Sequence, residues 1–106
     1  MNVIIQVSEK EKIDMANVVA THLATEKDIE HIEVVFLETA IHAVTDEKAI
    51  KPMLGADKVK VMACRTSMEM HNIKPSDLVH GVEATPKGGF VEILRKQQDG
   101  WYYIHV

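Results

Sequence analysis

The sequence predicts an α/β protein: a three-layer α/β/α sandwich around a mainly parallel five-stranded sheet. Three observations lead there. Apolar runs of strand length alternate with segments of helical spacing, in the order βαβαβαβαβ. The early runs are apolar on successive residues rather than on alternate ones, as in strands buried on both faces. Right-handed crossovers then place the intervening helices on the two faces of an open sheet.

Asn2 to Val7 is a β-branched run interrupted only by Gln6, and reads as a central strand. Ser8 and Glu11 form an S-x-x-E capping box that opens a helix. Ile13, Ala16, Ala20 and Leu23 give that helix its core face, and it should end between Ala24 and Lys27. Ile32 to Leu37 is the second buried strand. Ala40, Ile41 and Val44 then suggest a helical turn or two. Thr45, followed by Asp46 and Glu47, caps a second helical piece, with Pro52 late in it and Gly55 at its end.

Val59 to Ala63 is the third strand, and Cys64 to His71 a short helix ended by Asn72 and Pro75. Ser76 to Leu78 is a single turn. Val82 to Ala84 is a short fourth strand. Thr85-Pro86 reads as the N-cap and first position of the last helix, with Phe90, Val91, Ile93 and Leu94 as its core face. Gly100 closes it, and Trp101 to His105 is the fifth strand, with two of its three aromatic rings packed inward.

With 106 residues the chain is one domain, 1–106, large enough for a real core. Hydrophobic residues make up 46% and charged residues 26%, an ordinary globular balance. The net charge of −4 gives no electrostatic reason to bind nucleic acid or anionic lipid. No apolar run approaches the length of a membrane span. The opening MNVIIQV lacks a basic segment and a cleavage site, so no signal peptide is expected and a cytoplasmic location is the default. The single cysteine excludes an intrachain disulfide and a C-x-x-C redox pair.

That cysteine, Cys64, is placed where the third strand turns into a helix. In open α/β sheets ligands bind outside the carboxyl ends of the strands. Backbone N–H groups and the positive end of a helix dipole favour thiolate over thiol there. Arg65 adds a positive charge, and Thr66 and Ser67 are potential donors to the sulfur. The competing reading is a buried filler, since free cysteine is among the most buried residue types. A phosphatase-type loop is excluded, because Met70 stands where that loop needs arginine. The six histidines, at 22, 31, 42, 71, 80 and 105, show no H-x-x-x-H pair. No metal or cofactor is expected.

Two stretches carry a family resemblance: VKVMACRTSMEMHNIKPSDL, with the cysteine at the end of strand three, and the ending HGVEATPKGGFVEILRKQQDGWYYIHV. Together with the opening strand and helix, they make the chain similar to the DsrE/DsrF-like family of small sulfur-relay proteins over essentially its full length. The resemblance implies a DsrE-like fold with a parallel five-stranded sheet, homo-oligomers (trimers or hexamers) and a cytoplasmic location. It also implies sulfur carried as a persulfide on Cys64, between sulfur donor and acceptor proteins. Relatives of this branch tend to have C-x-N-T where this chain has Cys64-Arg65-Thr66-Ser67, which keeps hydroxyls and loses an amide. Glu38-Thr39-Ala40 stands where relatives often have glycine and a small residue. A Glu38 facing Cys64 would oppose thiolate formation.

The expected site is therefore Cys64 as the reacting group, with Arg65, Thr66, Ser67, Glu38, Thr39 and Ser8 as binding residues. Glu38 reads either as a proton acceptor or ligand contact, or as a solvated loop carboxylate. Gly88 and Gly89 serve either as an anion seat at a helix start or for close packing. The leading function is a sulfur carrier rather than a turnover enzyme. The alternative is a non-catalytic homo-oligomeric binding module, with a small-anion or peptide pocket at the strand ends that Cys64 merely lines. A weaker third is an enzyme pairing Cys64 with a histidine base.

Overall fold

β-Branched and apolar runs form the strands, and each is followed by a segment that returns the chain to the same end of the sheet. The computed structural model describes residues 1–106. Its strands are β1 (Asn2–Val7), β2 (His31–Phe36), β3 (Val59–Ala63), β4 (Glu83–Ala84) and β5 (Tyr102–His105). Its α-helices are α1 (Ile13–Leu23), α2 (Glu47–Leu54), α3 (Arg65–Met70) and α4 (Gly89–Gln98). The sheet order is β4-β3-β2-β1-β5, and every pairing is parallel.

From β1 to β4 the chain steps one way along the sheet; from β4 it returns past the others to place β5 beside β1. Right-handed crossovers in opposite directions put their helices on opposite faces. Hence α1 and α2 cover one face and α4 the other. The α1/α2 face holds a core of 19 buried residues, including Ile5, Ile32, Val34, Phe36, Ile50 and Met53. The α4 face holds only Ile4, Val35, Leu37, Met62, Cys64 and Ile93, with Trp101 against them.

Asn17 locks α1 to α2. Its amide donates to the Ala49 carbonyl at 2.7 Å, and its side-chain oxygen accepts the Met53 N–H at 3.3 Å. No helix is long and apolar enough to cross a membrane.

Five local expectations are corrected. The Ser8–Glu11 capping box does not form. Ser8 instead accepts a hydrogen bond from the Gln6 amide at 2.8 Å, and the chain passes through a 3-10 turn, Lys10–Lys12, before α1. Glu38–Thr45 is one eight-residue 3-10 helix, and the Thr45 hydroxyl bonds back to the His42 carbonyl rather than capping α2. Thr85 does not cap α4, which begins at Gly89 with Gly88 as its N-cap. Of the supposed core face of α4, only Ile93 is buried; Phe90 and Leu94 are 58% and 57% exposed. Tyr102 and Tyr103 are exposed as well. β5 is an edge strand, and a single ten-residue helix cannot cover five strands.

Candidate functional site

Three segments converge above the carboxyl ends of β2 and β3. Cys64 follows the last residue of β3, and its own N–H donates to the Phe36 carbonyl at 2.9 Å, fixing it beside the end of β2. Its extended backbone makes it the N-cap of α3. The sulfur takes the Ser67 N–H at 3.4 Å, a capping bond within α3. It takes a second N–H, from Gly89 at the start of α4, at 3.1 Å. Two helix starts thus aim otherwise unpaired backbone N–H donors at one sulfur. Cys64 is 4% exposed.

Gly89 is glycine for reasons of space. A Cβ there would lie 3.0 Å from the Cys64 Cβ, and 3.2 Å from both the sulfur and the Val35 Cγ1. A Cβ on Gly88 would lie 3.0 Å from the Thr66 Oγ1. The close-packing reading of the Gly-Gly pair holds, and that closeness delivers the Gly89 N–H to the Cys64 sulfur.

A cavity of about 580 Å³ opens over Cys64, a size typical of small-molecule sites. Glu38, Thr39, Thr66 and Ser67 line it. So do Leu37, Met70, His71, Phe90 and Val91, together with Gly88 and Gly89. Glu38 has a positive φ of 51°, a left-handed backbone that is unfavourable for a side-chain-bearing residue by about 1 kcal/mol. The Glu38 N–H donates to the Ser67 Oγ at 2.9 Å, which pins this corner to α3. Thr39 Oγ1 accepts the Lys10 N–H at 3.1 Å and donates to the Ser8 carbonyl at 3.3 Å.

Two expected binding residues stand outside the cavity. Ser8 is tied to Gln6 and, through its carbonyl, to Thr39. Arg65 turns away from the sulfur: its Nε donates to the Thr85 carbonyl at 2.9 Å, and its N–H to the Thr85 Oγ1 at 3.1 Å. The fully buried Thr85 hydroxyl also bonds the Lys87 carbonyl. Thr85 therefore satisfies the first N–H of α3 from the neighbouring strand end and shapes the turn that leads to Gly89. A threonine before proline looks like a local helix cap, so sequence reasoning missed this distant use.

His71, Met70, Phe90 and Val91 were also missed as cavity residues. Phe90 reads as part of a core face, yet it is 58% exposed, and Met70 is 76% exposed. The His71 ring meets His42 edge-on, with centroids 4.9 Å apart. No sequence spacing links these two histidines; only the convergence of α3 with the 3-10 helix does.

Under α4 lies a second unusual group. Glu33, on β2, is 3% exposed, and its Oε2 has no hydrogen-bond partner. Burial is the main cause that pushes its carboxyl up to about 8; the adjacent Glu92 carboxyl adds to this, while Lys96 and Lys60 oppose it. Lys96 Nζ is 3.8 Å from Glu33 and 4.7 Å from the centroid of the Trp101 ring.

The whole chain, residues 1–106, matches the DsrE/DsrF-like family. The chain belongs to that family. Among solved structures it is similar to a protein of unknown function from Methanobacterium thermoautotrophicum, with 21% identity and a TM-score of 0.86, covering 99% of this chain and 98% of that one. It is also similar to a conserved protein of unknown function from Bacteroides thetaiotaomicron, at 15% identity and TM-score 0.75, covering 99% and 94%. At these identities the likeness shows the fold: the DsrE-like α/β sandwich with its parallel five-stranded sheet. No curated protein matches the chain.

Proposed function

We propose that this protein carries sulfane sulfur as a persulfide on Cys64, within a sulfur relay, the activity associated with its family in general. The observation that carries the reading is the pair of backbone N–H groups, from Ser67 and Gly89, on a cysteine sulfur that lines an open cavity. The Cys64 thiolate attacks the outer sulfur of a donor R–S–SH. The donor S–S bond breaks, RS⁻ leaves, and Cys64–S–SH forms. An acceptor thiolate then attacks that outer sulfur and returns Cys64 as thiolate. The same two N–H groups, from Ser67 and Gly89, hold the inner sulfur in place at both steps.

A cytoplasmic setting suits this chemistry, since thiols stay reduced there. The exposed Phe90, Leu94, Tyr102 and Tyr103 support a homo-oligomer, trimer or hexamer, as aromatic and apolar side chains favour subunit contacts. The cavity volume alone also suits a binding module in which Cys64 is only wall. Intact-protein mass spectrometry after incubation with a persulfide donor separates the two. The carrier gains one reductant-removable sulfur that Cys64→Ser does not; the binding module gains none.

A further inference from the structure

Glu38 and His71 are the acid–base side chains that share the cavity with Cys64, and no lysine or arginine lines it. Lys87 and Arg95 line a separate, smaller cavity with Glu92, and Arg65 is turned onto Thr85. The remaining wall is uncharged: the hydroxyls of Thr39, Thr66 and Ser67, the two glycines, and the apolar Leu37, Met70, Phe90 and Val91. Glu38 is held at this mouth in spite of its left-handed backbone, fixed by its N–H to Ser67. A carboxylate beside apolar walls attracts cationic groups, admits neutral ones and repels anions.

We propose that Glu38 is a specificity-determining residue that makes the Cys64 cavity select ammonium-bearing or uncharged apolar thiols and persulfides over anionic sulfur donors such as thiosulfate. This rests on the reading of Cys64 as the reacting group. Small anions meet the Glu38 charge at this mouth and find no lysine or arginine there to pair with. A ligand with an aliphatic or aromatic body and an amine gains the apolar wall at one end and the carboxylate at the other.

The test uses two methanethiosulfonate reagents of similar size, 2-aminoethyl (cationic) and 2-sulfonatoethyl (anionic). In each, the Cys64 thiolate attacks the sulfenyl sulfur and expels methanesulfinate. Rates are normalised to those of a small free thiol. The native protein should favour the cationic reagent by about fivefold, as expected for one nearby, partly screened charge. Glu38→Gln should bring the ratio close to that of the free thiol. Glu38→Gly, which suits the same backbone, should do likewise if the glutamine variant folds poorly. Glu69→Gln, an exposed α3 residue outside the cavity, should leave the ratio unchanged and so control for net charge. An unchanged ratio in both Glu38 variants, a native preference for the anion, or inertness to both reagents overturns the proposal. These reagents need no persulfide. Charge selection without sulfur uptake retires the carrier reading alone, whereas sulfur uptake without charge selection retires this one alone.

Discussion

The two faces of the sheet are built for different tasks. The α1/α2 face buries 19 residues and is closed by two helices tied through Asn17. The α4 face buries six, under one helix whose Phe90 and Leu94 point to solvent. The first face supplies stability. The second holds Cys64, beside the cavity, and the buried carboxylate of Glu33 under a thin cover. A thick cover would have sealed the sulfur; a thin one leaves room for a ligand.

Phe36→Ala probes the thick face and should show the largest effect. A fully buried ring there should cost about 3–5 kcal/mol of stability by denaturant unfolding. A loss no greater than that of an exposed residue would mean that the faces do not differ as described.

Glu33→Gln probes the thin face through pH. The folded chain holds a proton on Glu33 between the ordinary 4.5 and about 8, which the unfolded chain gives up. Its contribution is therefore fully present below that window and lost as pH rises through it. Glutamine removes the charge, and should raise stability at alkaline pH by about 2 kcal/mol while flattening the profile. Superimposable stability curves for the two proteins would contradict the burial argument.

Gly89→Ala sharpens the comparison at the site itself. The added methyl meets Cys64 and Val35, so the start of α4 must shift away from the sulfur. Stability should fall by about 1–2 kcal/mol, and sulfur loading should slow more than this loss of folded protein explains. Leu94→Ser should show the smallest effect on monomer stability, within about 0.5 kcal/mol for an exposed site. If α4 is the subunit contact, that variant should nonetheless sediment as a smaller species than the native protein.

The sequence described the thick face well and the thin face poorly, for one physical reason. Continuous apolar runs such as Val3–Ile5 and Val34–Leu37 report burial without needing to know the neighbours. Phe90 and Leu94 have the same helical spacing as a buried face, and periodicity cannot tell how much cover one helix meets. Cys64 could be placed at the strand end because strand-to-helix corners are local. Its second N–H donor, Gly89, lies 25 residues further on. The role of Thr85 and the turning of Arg65 away from the sulfur likewise depend on contacts made only when β3, β4 and α4 come together, and that of His71 on α3 meeting the 3-10 helix.

The most direct test of the account is a loading and unloading time course followed by intact mass. The folded native chain is exposed to a persulfide donor, freed of it, and then given an acceptor thiol. The account predicts a gain of one sulfur atom, absent in Cys64→Ser and slowed in Gly89→Ala, and its loss as the acceptor becomes persulfidated. A folded native chain that gains no sulfur from an active donor, or gains it equally without Cys64, would contradict the central claim.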